Sequence, residues 1–317
     1  LGLADPPTWR YANAMTQNTQ NPTNQDSLAG FFFAMSAYIF WGFLPLYMKE
    51  LAHIPPQEVI AHRVLWSLPI AAAVLILQGR TADLKRALRT PAMLGMAAIT
   101  ATLVSLNWGV YVWAIGAGHA LDAALGYYIN PLFSILLGAV MLKENLSKLQ
   151  KYAVLLAAIA VVVLTVGAGR LPLVALTLTF TWGFYAYFKK QLPIGPNQGF
   201  TLEVLLLTPF AIGYIVYAQT TGTSHFFQGN TTDTALLLGC GLVTAIPLML
   251  YANGAKLLRL STIGIMQYTA PTMIFLIAVF AFGEPFGLAR MIAFPMIWTA
   301  LVLYSAAMFR GRKPKAG

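Results

Sequence analysis

From residue 28 onward the chain alternates long apolar runs with short polar breaks. The runs lie near 28–48, 57–77, 92–114, 120–142, 148–167, 171–190, 201–220, 234–255, 262–283 and 287–309. Each approaches the roughly 20 residues that a helix needs to cross a bilayer. The breaks are too short to hold a soluble domain, so an all-α integral membrane protein of ten transmembrane helices is expected. Residues 1–27 are rich in Asn, Gln, Thr and Pro and have no apolar core, which predicts a disordered tail. Met15 is the first methionine and a candidate start, and the first span is expected to act as an uncleaved insertion signal. Residues 310–317 form a second short tail, basic in character.

Composition agrees. Hydrophobic residues make up 58% of the chain and charged residues 9%, whereas soluble domains carry about 25% charged residues. The single Cys240 lies in an apolar run and excludes a disulfide scaffold. A net charge of +10 would ordinarily suggest nucleic acid. Placing the basic residues on alternate breaks gives another reason for it. One side receives Arg10, Arg80, Lys85, Arg86, Arg89, Lys143, Lys148, Lys151, Lys189, Lys190, Lys256, Arg259, Arg310, Arg312, Lys313 and Lys315; the other receives only Lys49, Arg170 and Arg290. Basic residues stay on the cytoplasmic side, so both termini are expected there, and the charge serves orientation and contact with anionic lipid. Nucleic acid is not an expected partner.

An offset of 140 aligns Pro69 with Pro209, Tyr111 with Tyr251, Tyr128 with Tyr268, Pro131 with Pro271 and Glu144 with Glu284; at 141, Trp41-Gly42-Phe43 falls on Trp182-Gly183-Phe184. Six matches at nearly one spacing point to a duplicated unit of five helices, 28–167 and 171–309. Because five is odd, the second copy crosses the membrane in the opposite sense. Inverted repeats of this kind place a substrate site near the bilayer midplane, between the halves.

The strings Glu58-Val59-Ile60-Ala61-His62-Arg63-Val64-Leu65-Trp66-Ser67, Asn107-Trp108-Gly109, Leu125-Gly126-Tyr127-Tyr128-Ile129-Asn130-Pro131-Leu132 and Gly264-Ile265-Met266-Gln267-Tyr268-Thr269-Ala270-Pro271-Thr272 resemble the RarD-type permeases of the EamA group, in the drug/metabolite transporter superfamily. The resemblance covers about 28–309. It implies a ten-helix inner-membrane permease with two EamA repeats, a family associated with chloramphenicol sensitivity or resistance.

Polar groups within spans are costly and therefore functional candidates. Glu58, His62 and Trp66 recur at four-residue spacing on one face of the second span, with Arg63 roughly 140° from Glu58. They suit either structural pairing with a neighbouring helix or binding and gating, with Glu58 and His62 toward an outer mouth. Arg63 plus 140 is Glu203, but inversion sets the two at different depths, and Glu203 is expected to meet Lys189 or Lys190. Pro131 and Pro271 each lack an N–H near mid-span and should kink their helices, freeing the carbonyls of Tyr127 and Gln267. Those carbonyls need a polar side chain or a watered cavity, which makes Tyr128, Asn130, Gln267 and Tyr268 candidate lining residues. Asn107, a mid-span amide, needs partners too, and Trp108 and Tyr111 lie beside it. Tyr38, Trp41, Trp182 and Tyr185 suit packing or a cavity equally. Glu144 and Glu284 close equivalent helices.

Enzymatic chemistry is not expected. His53, His62, His119 and His225 have no metal-ligand spacing, and Gly239-Cys240-Gly241 lacks the context of a phosphate loop. No cofactor is implied. The expected function is secondary transport of a small amphipathic metabolite or drug, in the export sense, by alternating access and without ATP. Import or exchange of amino acids or anionic metabolites is the competing reading within transport, and a receptor or lipid-modifying enzyme the one outside it. The expected partners are a small-molecule substrate and membrane lipid.

Overall fold

In the computed structural model, residues 27–141, 146–258, 262 and 266–310 are described, and helices account for most of them. In chain order they are α1 (Leu28–Glu50), α2 (Pro56–Leu77), α3 (Thr81–Leu88), α4 (Pro91–Gly116), α5 (Ala120–Met141), α6 (Lys148–Ala168), α7 (Leu173–Gln191), α8 (Pro196–Thr220), α9 (Thr231–Lys256), α10 (Thr269–Leu276) and α11 (Leu288–Arg310). A π-helical turn, Ile277–Ala281, extends α10. No strand occurs among the described residues. The expected tail 1–27 and Glu144 lie outside them, Ser27 excepted.

Local chemistry sets the helix ends. Ser27 accepts from Gly30 N at the start of α1, and Asn230 accepts from Thr232 N and Asp233 N at the start of α9. Proline opens α2, α4 and α8, where its missing N–H costs nothing. Ser147 and Gln150 close a capping box at α6, and Gly169 ends that helix in the left-handed region at φ 65°.

Among the described residues, eight helices are long and apolar enough to cross a membrane: α1, α2, α4, α5, α6, α8, α9 and α11. Of the two remaining expected spans, α7 has 19 residues and carries the Lys189 and Lys190 pair near its end. The other, expected over 262–283, is a shorter apolar helix over Thr269–Ala281. The chain breaks into a turn at Gln267 and Tyr268 just before it. The helix α3 falls where only a connecting break was expected; it is amphipathic, with Lys85 and Arg86 in its last turn and Ala87 buried.

Large apolar side chains remain on the outer surface, including Phe210, Phe280, Leu77 and Val166. In water such a surface would associate; against acyl chains it is the stable arrangement. Inside, α1 packs on α9 and α10, while α7 packs on α4 and α5. Likewise α2 packs on α9 as α8 does on α4, and α2 meets α8, α5 meets α10 and α6 meets α11. The first and second halves of the chain are thus interleaved instead of forming separate lobes, and these pairs map onto themselves when the halves are exchanged.

Candidate functional site

Among the described residues a single charged side chain sits in the wall of a central cavity, and glycine puts it there. A Cβ on Gly241 would overlap the backbone and Cβ of Trp66, so only glycine lets α9 close against α2 at this level. One turn further along α9, Thr244 Oγ1 then accepts from Arg63 Nε at 3.0 Å. The Arg63 guanidinium lies over Trp108 of α4, 4.6 Å from the ring centroid, a stacked cation–π contact that strengthens away from water.

The cavity holds about 130 Å³. Its wall repeats across the halves at the offset of 140 or 141: Trp41 with Trp182, Trp108 with Leu248, Tyr111 with Tyr251, Tyr127 with Gln267, and Asn130 with Ala270. Each of these ten residues lines the space. Asn107 is in the wall as well, its amide fully used: Nδ2 donates to Leu178 O at 3.2 Å and to Thr181 Oγ1 at 2.9 Å, while Oδ1 accepts from Tyr127 OH at 3.1 Å. That network ties α4, α5 and α7 together.

At one end of the bundle the connection between α8 and α9 is tied down as a cap on the start of α2. Glu58, 1% exposed, accepts from Ser224 Oγ at 2.9 Å and His225 N at 2.7 Å, and its second oxygen lies 2.8 Å from His225 Nδ1. The neighbouring Phe226 is buried with its ring 4.6 Å from that of His62. A second pair, His53 Nε2 with Asp233 Oδ1 at 3.1 Å, joins the α1–α2 connection to α9. Each half supplies one histidine and one carboxylate to the two crossed pairs. At the other end, Asn197 donates to Gln78 Oε1 at 3.2 Å and Gln198 to Asp83 Oδ2 at 3.4 Å. Gln198 stands 140 residues after Glu58.

A profile of the EamA-like transporter family matches residues 28–166. A transporter of Vibrio cholerae is 41% identical over 90% of this chain and 94% of its own length. Protein RarD of Salmonella typhi is 39% identical over 87% of this chain and 94% of its own. The chain belongs to the EamA-like transporter family, as a RarD-type permease. One solved structure, 19% identical, shares the fold with a TM-score of 0.58 over 90% of this chain and 99% of that one. This EamA protein is therefore a multi-pass membrane transporter.

Its expected site residues divide. Arg63, Asn107, Trp108, Tyr111, Asn130 and Gln267 meet at the cavity, and Pro271 joins them. Three others do not. Tyr128 turns away, its hydroxyl 2.7 Å from Thr272 Oγ1 and its ring edge-on to Phe294 and Trp298. Tyr127 lines the wall instead, because one residue along a helix is a rotation of about 100°. Tyr268 gives way to Gln267 in the same manner. Trp66 donates to His62 Nδ1 at 2.9 Å and packs on Phe226, outside the wall.

Glu58 and His62 do not flank an open mouth: His62 is fully buried, and Glu58 is spent on the capping loop. Pro131 is buried inside α5. Pro271 is not a mid-helix kink, because α10 begins at Thr269 and places it in the first turn, where a missing N–H is tolerated. Tyr251 and Thr244 escaped sequence reasoning, although the match of Tyr111 with Tyr251 at the offset of 140 was a usable signal for the first. The pairs to His225 and Asp233 had no sequence signal, their partners lying 167 and 180 residues away.

Proposed function

We propose that this transporter works by alternating access of two inverted five-helix repeats around the central cavity, moving a small amphipathic molecule across the inner membrane with both termini in the cytoplasm. The observation that carries the reading is the wall itself, where five pairs of residues related by the repeat offset face one space. A site on the axis between equivalent halves meets the same groups from either side as they rock, which is what alternating access requires. A packing detail supports the symmetry: a Cβ on Gly42 would overlap Met273, and one on Gly183 would overlap Phe133. Exchange of halves carries each contact into the other.

The two caps become the gates. Glu58 holds one through contacts of 2.7–2.9 Å to Ser224 and His225, whereas its repeat partner Gln198 holds the other through one contact of 3.4 Å to Asp83, so the first is the firmer lock. His62 supports that lock by seating Phe226. Export is the direction we propose. Reconstituted protein should accumulate or release a cargo from a metabolite panel along an imposed gradient, and more slowly once Cys pairs at 53 and 233 are oxidised in a Cys240→Ala background. Conversion of solute without flux would replace transport with enzymatic chemistry.

A further inference from the structure

Arg63 is 3% exposed, yet no ion pair joins it to a carboxylate among the described residues. The buried carboxylates are engaged elsewhere. Glu58 holds Ser224 and His225, Glu203 holds Lys189, Asp233 meets His53, and Glu284 caps α5 through Ala120 N and Leu121 N. Thr244 takes Nε and Trp108 takes one face of the guanidinium, while Nη1 has no hydrogen-bond partner. Five buried side-chain atoms among the described residues lack such a partner, and three belong to this wall: Arg63 Nη1, Tyr111 OH and Asn130 Oδ1.

A buried charge with no counter-ion is unfavourable unless something else brings the opposite sign. A guanidinium anchored through Nε and stacked on a ring keeps its fork for a planar carboxylate. Among the described residues Arg63 is also the only Lys or Arg in the wall, which suits one negative charge and not two. The remaining surface is rich in aromatic rings, and the space is about 130 Å³; because an apolar cavity of about 150 Å³ takes one benzene, a single flat ring is the upper limit for this one. Asn130 Oδ1 adds an acceptor for an N–H or O–H on the ligand.

Resting on the reading of this cavity as the transport site, we propose that Arg63 is its anion-binding residue and that the cargo is a small organic monocarboxylate bearing one flat ring. The probes are benzoate, its neutral amide benzamide, and phenyl phosphate as a dianion, titrated against the full chain in lipid nanodiscs by tryptophan fluorescence. Benzoate is expected to bind at least about tenfold more tightly than benzamide, or about 1.4 kcal/mol, and more tightly than phenyl phosphate. Arg63→Gln should erase the preference for benzoate over benzamide. Equal binding of acid and amide, tighter binding of phenyl phosphate, or a preference that survives Arg63→Gln would overturn the proposal.

If none of the probes binds, thermal stability decides. Removing an unpaired buried cation by Arg63→Gln or Arg63→Met should raise Tm by a few degrees, as substitutions at strained functional sites do; a fall in both variants marks a structural residue and ends the proposal. Selective benzoate binding without benzoate flux in proteoliposomes would leave the anion site standing and remove the transport reading. Flux of benzamide equal to that of benzoate would do the reverse.

Discussion

Arg63 and Glu203 occupy matching positions in α2 and α8, 140 residues apart, and each is engaged without the other. Arg63 meets Thr244 and Trp108 in the cavity wall. Glu203, 1% exposed, meets Lys189 Nζ at 2.6 Å and accepts from Tyr185 OH at 3.2 Å. Two helices that already pack together thus carry opposite charges that do not pair, which leaves one charge to the cavity and assigns the other to structure.

Breaking the Glu203 pair should therefore cost stability and not cargo selectivity. Glu203→Gln or Lys189→Met alone is expected to destabilise by about 2–3 kcal/mol, below the roughly 3–5 kcal/mol of a fully buried pair, because the Lys189 side chain keeps 21% exposure. The double variant should recover most of that loss. Thermal unfolding in detergent is the measurement, and a double variant as unstable as the sum of the singles would refute the pairing.

Glu58→Gln should loosen the α8–α9 connection. Phe226 is buried beneath it, and Cys240 is buried as well, leaving little background labelling. In a Phe226→Cys variant, thiol labelling is expected to be slow while Glu58 is intact and several-fold faster once Glu58→Gln is added. Equal rates would mean that the carboxylate does not hold the cap.

Gly241→Ala should force α9 away from α2 and pull Thr244 from Arg63, at a cost of about 1–3 kcal/mol for overpacking. Gly213→Ala in α8 is the matched control, since nothing lies within 4 Å of its Cβ position; alanine in a helix interior gains roughly 0.5–1 kcal/mol over glycine. Changes in Tm of opposite sign are expected for the two variants, and a neutral Gly241→Ala would show that the close approach is relaxed in the membrane.

Reporter fusions after residues 118 and 222 should read the periplasmic side and a fusion after 317 the cytoplasmic side, following the basic residues. A periplasmic reading at the C-terminus would contradict the proposed topology.

The run of apolar residues from 28 to 48 suffices to predict α1, and runs of this kind located all the long helices within a few residues, because a span is a local property of about 20 consecutive side chains. The matches at an offset of 140 were equally legible, since identity at a constant offset needs no coordinates. Register around each helix axis was not. Tyr127 and Tyr128 differ by one residue and about 100°, and only the packing of α5 between α7 and α10 turned the first toward the cavity and the second toward Thr272. Gln267 and Tyr268 were separated likewise by a turn ahead of α10 that apolar composition does not signal. The ties from Glu58 to His225, from His53 to Asp233 and from Arg63 to Thr244 span more than 160 residues. Contacts at that distance depend on which helices become neighbours, so tertiary structure alone decided which charges are spent on the fold and which one is left facing the cavity.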